Sequence, residues 1–145
     1  MRKEIGKMKA KYIFIIIIVC GICFYLIVGY IAFTFQNDRQ NNNPISIFQK
    51  YCNCQIETEY VLNDKTRVDI VTNEYAIEID YAKDFYEAIG QSLFYSIKTG
   101  LKPGILLVII NDKDIKYKDR LLLVAKTYMI SVWILYQNKI EWVLK

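Results

Sequence analysis

Histidine is absent from this 145-residue chain, and proline (two) and glycine (six) are scarce. Without histidine there is no Ser-His or Cys-His nucleophile pair, no imidazole acid–base catalyst and no His-containing zinc set. No serine-nucleophile motif and no glycine-rich loop of the phosphate-cradling kind is present either. Only four cysteines occur. Cys20 and Cys23 sit in an apolar run and read as inert fillers. Cys52 and Cys54 are two residues apart, a spacing that disfavours an unstrained mutual disulfide and supplies too few ligands for a metal, so they read as structural or free thiols.

Excess charge is also missing from most of the chain. Lys and Arg number 19 against 15 Asp and Glu, but five of the bases (Arg2, Lys3, Lys7, Lys9, Lys11) and only Glu4 of the acids fall in residues 1–11. Residues 37–145 are left with 14 of each. The positive balance belongs to the N-terminus, and the remainder lacks the bulk charge of a nucleic-acid binder.

What is present first is a long apolar run. Tyr12–Phe35 is 24 residues without a charge. At about 1.5 Å per residue a helix of that length exceeds the ~30 Å hydrocarbon core of a bilayer. Tyr12, Tyr30, Phe33 and Phe35 lie near its ends, where aromatic rings suit the headgroup level. A cleaved signal peptide would have a shorter apolar region and a small-residue cleavage site. A buried core helix would be apolar on one face only. The run therefore predicts an uncleaved single-pass signal anchor. Its basic flank places the N-terminus in the cytoplasm and the rest of the chain outside, in the periplasm or exterior. The organisation expected is a cytoplasmic flank 1–11, a membrane helix 12–35, a polar linker 36–44 and one domain over 45–145.

Periodicity then orders the domain. Ile45–Tyr51 reads as a short helix. Ile56–Leu62, Arg67–Thr72 and Tyr75–Asp80 read as three strands joined by turns at Asn63–Lys65 and Asn73–Glu74. Ala82–Lys98 is a helix with Phe85, Ile89 and Leu93 on one face. Gly100, Pro103 and Gly104 break it, and Ile105–Ile110 is a continuous apolar run suited to a central strand. Lys116–Lys126 is a helix, Met129–Tyr136 a strand, and Ile140–Leu144 a short final strand. The order α-β-β-β-α-β-α-β predicts an α/β fold of the α+β kind, with helices packed on a mixed sheet.

One pair of acids stands out. If Asn73–Glu74 is a two-residue hairpin loop, Ile70 meets Ile77 and Val68 meets Ile79, giving an apolar face. On the other face Asp69 lies opposite Glu78, and Arg67 opposite Asp80. Like charges directly opposite across a ladder are destabilising unless a proton or divalent cation sits between them. A three-residue loop at Asn63–Lys65 would add Glu59 opposite Asp69; a two-residue loop would put Tyr60 there. The alternative is a solvated acidic face on which Arg67 neutralises Asp80.

The stretch Arg67-Val-Asp-Ile-Val, then Ala-Ile-Glu78-Ile-Asp80, then Gln91-Ser-Leu-Phe-Tyr95 resembles the PD-(D/E)xK nuclease superfamily. That superfamily has an acid on the second strand, (D/E)-x-K on the third, and in one branch a Q-x-x-x-Y pattern on the following helix. The Glu-Ala-Ile-Gly-Gln and Thr-Gly-Leu-Lys-Pro-Gly phrases also look like those of small bacterial proteins of this type. The resemblance covers roughly residues 45–110. It implies an αβββαβ restriction-endonuclease-like core, Asp69 and Glu78 as ligands of Mg²⁺, Glu59 as an upstream acid, and Gln91 and Tyr95 beside the site. The implied activity is metal-dependent hydrolysis of DNA phosphodiesters. The chain departs from the pattern at one point: Asp80 stands where the lysine is expected. Lys83 could reach in as a displaced catalytic lysine, or it could pair with Glu87 on an exposed face. Asp80 could itself face the metal. A catalytically inactive module of the same fold, binding or structural at the membrane, is the alternative that Asp80 and the zero net charge support.

Overall fold

The computed structural model of the protein describes residues 21–34, 36 and 43–145. The chain divides into two compact units, Met1–Asn41 and Asn42–Lys145. In the first, residues 21–34 are helical and exposed apart from the half-buried Thr34, whose hydroxyl donates to Ile31 O at 2.8 Å. Among the described residues no helix is long and apolar enough to cross a membrane. The basic flank 1–11, residues 12–20 and 35 of the expected span, and residues 37–42 of the linker lie outside the described residues.

The second unit begins with α1, Pro44–Cys52. Asn43 caps it, its Oδ1 accepting from Ile45 N at 3.0 Å. Pro44 follows at the first helical position, where its missing N–H leaves no bond unmade. The helix ends at Asn53, which adopts the left-handed conformation with φ 46°. That turn brings the Cα atoms of Cys52 and Cys54 to 5.1 Å, and the two form a disulfide. The expectation of structural or free thiols is therefore corrected. An extended chain would hold cysteines two residues apart too widely, but a left-handed residue between them folds the segment into bridging range. Asparagine is among the few residues that adopt this conformation readily.

Six strands follow: β1 (Glu57–Val61), β2 (Arg67–Val71), β3 (Tyr75–Tyr81), β4 (Lys102–Ile109), β5 (Ser131–Tyr136) and β6 (Lys139–Leu144). They form one sheet in the order β1-β2-β3-β4-β5-β6. The β3–β4 and β4–β5 pairs are parallel and the others antiparallel. Helix α2 (Phe85–Thr99) connects β3 to β4, and α3 (Ile115–Tyr128) connects β4 to β5. A 3-10 turn, Ala82–Asp84, leads into α2, and Gly100 closes it with φ 72°. Gln137 and Asn138, both at positive φ, make the two-residue turn from β5 to β6.

Both faces of the sheet are covered, which fits its parallel centre. On one face Phe85 and Ala88 of α2 and Leu121 and Ala125 of α3 pack on Ile105, Leu107, Val132 and Ile134. On the other, Phe48 of α1 packs against Ile70, Ile77, Leu106 and Trp133. Trp133 and Trp142 stack at 5.1 Å on this second face, with Tyr75 edge-on to both. The mixed α/β architecture agrees with expectation.

One element differs in extent. Strand β4 begins at Lys102, ahead of the expected Ile105, and contains both Pro103 and Gly104, so these residues do not lie between helix and strand. Pro103 is tolerated because β4 at that point pairs only with β3; its pairing with β5 begins at Gly104↔Ser131. Gly104 is required by packing. A Cβ there would lie 2.9 Å from Ile77 Cγ1 and 3.0 Å from Trp133 Cζ3.

Candidate active site

The site is built on β2, whose pairing with β1 skips one residue and whose pairing with β3 ends at that same residue. On the β1 side, Leu62 N donates to Thr66 O and Lys65 N to Leu62 O, both at 2.8 Å, around a three-residue loop Asn63–Lys65. Lys65 takes the left-handed conformation, and Asp64 Oδ1 accepts from Thr66 N at 3.1 Å. The register runs Thr58↔Ile70, then Tyr60↔Val68. Glu59 and Asp69 occupy the position between, which decides for Glu59 over Tyr60. Neither is ladder-paired there, and Glu59 has φ 56°.

On the β3 side the pairs are Val71↔Ala76 and Ile70↔Ile77, the register expected from a two-residue loop. The ladder stops at that point. Asp69 Oδ2 accepts from Ile79 N at 2.9 Å, so a side-chain carboxylate takes the amide that a backbone carbonyl would otherwise hold. The strands therefore part where the two acids approach, and two expectations change. Val68 packs with Ala76 and Tyr95, whereas Ile70 packs with Ile77 and Leu106, so β2 does not present one apolar face. Arg67 does not neutralise Asp80: its Nε contacts Glu59 Oε2 at 2.6 Å, because the parted ladder does not carry it across to β3.

Glu78 shares its strand face with Ala76, toward α2. It is only 8% exposed, and its Oε2 is buried without a hydrogen-bond partner among the described residues. Helix α2 supplies the opposite wall through Gln91, half-buried, and Tyr95, buried, one helical turn apart. Asp69, Glu78, Gln91 and Tyr95 line one groove of about 550 Å³ with Val61, Lys65, Thr66 and Arg67. Lys98 Nζ at the end of α2 meets Asp64 Oδ2 at 2.8 Å, tying the loop to the helix.

The electrostatics follow from burial. Removal from water, then the charges of Asp69, Asp80 and Glu87, push the Glu78 carboxyl up to about 8. Asp80 is raised to about 6, by burial and then by Asp84, Glu87 and Asp69, against the opposing N–H of Tyr81. Asp69 is raised by burial, with the Ile79 amide opposing and Glu59 adding to the shift. The Tyr95 phenol is raised by burial and by Glu78 and Asp69. Arg67 is the cation that opposes the shifts of Asp69, Glu78 and Tyr95.

Of the residues singled out in the sequence, four meet in the groove. Glu59 does not line it but is ion-paired with Arg67, which does. Asp80 is on β3 with its Oδ1 accepting from Tyr81 N at 2.8 Å, and does not line the groove. Lys83 is exposed in the 3-10 turn and does not line it either; among the described residues no ion pair joins Lys83 to Glu87. The lip of Lys65, Thr66 and Arg67 was not anticipated. Its signal was the position of Lys65 in the loop, which only the loop length could aim.

The residues fit a hard divalent cation of the Mg²⁺ type. Mg²⁺ is commonly held by one or two carboxylates, with waters and substrate phosphate completing its shell. Asp69 and Glu78 provide two carboxylates, and the unpartnered Oε2 of Glu78 is a buried acceptor that a cation would satisfy. Among the described residues no group of three or more His, Cys, Asp and Glu is placed to hold a metal ion, so these two carboxylates are the protein's donor set. No family model, curated protein or solved structure matches the chain.

Proposed function

We propose that the domain is a metal-dependent phosphodiesterase of the PD-(D/E)xK kind, acting on DNA. We further propose that it is held at the outer face of a membrane by the apolar segment 12–35. The observation that carries the first reading is the buried, unpartnered Oε2 of Glu78, beside Asp69 in an open groove. When bound, Mg²⁺ would stabilise charge on the scissile phosphate and lower the pKa of an attacking water. Asp69 and Glu78 would hold it. The Ile79 amide fixes the Asp69 carboxylate, so this ligand is already oriented. Gln91 offers an amide and Tyr95 a hydroxyl to a substrate or its water from the α2 wall. The membrane placement is supported by the uncharged run and its basic flank, and by the Cys52–Cys54 disulfide, since such bonds persist in oxidising compartments.

The test uses the full chain in detergent micelles with a supercoiled plasmid and Mg²⁺ or Mn²⁺. Nicking or cleavage that disappears on chelation, and in both Asp69→Asn and Glu78→Gln, is expected. Cleavage that persists in both variants would defeat the assignment. A second reading, a module that keeps the fold without catalysis, is favoured by Asp80 in place of the lysine. Calorimetry showing metal uptake without any cleavage would select it.

A further inference from the structure

The site lacks the cation that the lysine position would have supplied, since position 80 is an aspartate and Lys83 stands outside the groove. The cations that do line it, Lys65 and Arg67, come from the β1–β2 hairpin. Arg67 is the one fixed on a strand, two residues from Asp69. Its guanidinium is engaged through Nε by Glu59 at 2.6 Å, and the two side chains are 61% and 49% exposed, so the contact is open to exchange. Glu59 is presented from a residue at φ 56° where β1 skips a ladder pair, an arrangement that serves no strand pairing.

Building on the phosphodiesterase reading, we propose that Arg67 is the phosphate-binding cation of this site and that Glu59 is a latch competing for it. The ligand class is a phosphodiester of a polynucleotide. Its non-bridging oxygens displace the Glu59 carboxylate and take the guanidinium in the two-pronged geometry that arginine offers to phosphate. In the hydrolysis a water oxygen joins phosphorus and one ester P–O bond breaks. One water proton passes to the departing oxygen and the other to solvent. Arg67 exchanges no proton and balances charge on the phosphate oxygens. Glu59 sets how much DNA is needed to claim Arg67, which makes it a determinant of affinity rather than a metal ligand.

The experiment measures binding rather than turnover, on full chain in detergent micelles. A fluorescein-labelled oligonucleotide is titrated in Ca²⁺ at several salt concentrations, and Mn²⁺ uptake is followed by calorimetry. Arg67→Gln is expected to weaken oligonucleotide binding about tenfold and to flatten the dependence of log affinity on log salt by roughly one phosphate contact, with Mn²⁺ still taken up. Arg67→Lys should fall between. Glu59→Gln is expected to tighten binding about threefold, and the double variant to behave as Arg67→Gln does. Wild-type oligonucleotide affinity and salt slope in Arg67→Gln, with Mn²⁺ uptake intact, would overturn the role of Arg67 and leave the metal site standing. Weaker binding in Glu59→Gln would overturn the latch. A wild-type chain that takes up neither Mn²⁺ nor oligonucleotide would overturn both the inference and the reading it rests on.

Discussion

Glu78 carries a proton at neutral pH in the metal-free domain, because its carboxyl is pushed up to about 8. Folding raises its pKa above the ordinary 4.5, so the native state binds the extra proton across that interval. Stability from this group is present below the ordinary value and is lost as pH rises through about 8. Thermal unfolding in a chelator should therefore show a lower Tm at pH 8.5 than at pH 6. Mg²⁺ should raise Tm more at pH 8.5, since the cation binds the ionised carboxylate. Glu78→Gln should remove most of this pH dependence and abolish the Mg²⁺ effect, as followed by calorimetry. Asp69 and Glu78 were legible as a pair because hairpin register follows from loop length and apolar alternation. What was not legible was the lapse in pairing at Asp69, since alternation presumes a continuous ladder. The Glu59–Arg67 pair follows from that lapse and was hidden with it.

Among the elements, β4 shows how packing overrides local preference. Pro103 and Gly104 read as punctuation, yet they begin a central strand, because the first pairs on one side only and the second fits between Ile77 and Trp133. Gly104→Ala should destabilise the domain by about 1–3 kcal/mol, measured by urea unfolding, since the added methyl meets a side chain on each side. Phe48→Ala, emptying the main contact of α1, should cost about 3–5 kcal/mol in the same assay. The disulfide at the end of α1 closes a very short loop, so its entropic contribution is only about 1–2 kcal/mol. Cys52→Ser with Cys54→Ser should accordingly leave a folded domain with a modestly lower urea midpoint. Helix α1, the three-strand meander and α2 were legible within a residue or three of their ends, because each carries a cap, a turn or a clear apolar period. The disulfide was not legible from spacing, because it depends on the left-handed turn at Asn53.

For the molecule as a whole, the even charge of residues 37–145 makes the local arrangement of charge decisive. Three cation-bearing or polar side chains on one lip face two acids within a single groove, so on the proposed reading a polyanion is held by that arrangement and by bound metal rather than by a general field. The sequential strand order has a further consequence, for synthesis. Every strand after β1 pairs with the one made immediately before it. A chain delivered N-terminus first never has to thread a late strand between two early ones. Each new strand closes the edge left by the one before it, so apart from the outer side of β1 a single growing edge is open at any time. The domain is thus suited to folding as it emerges, one strand at a time.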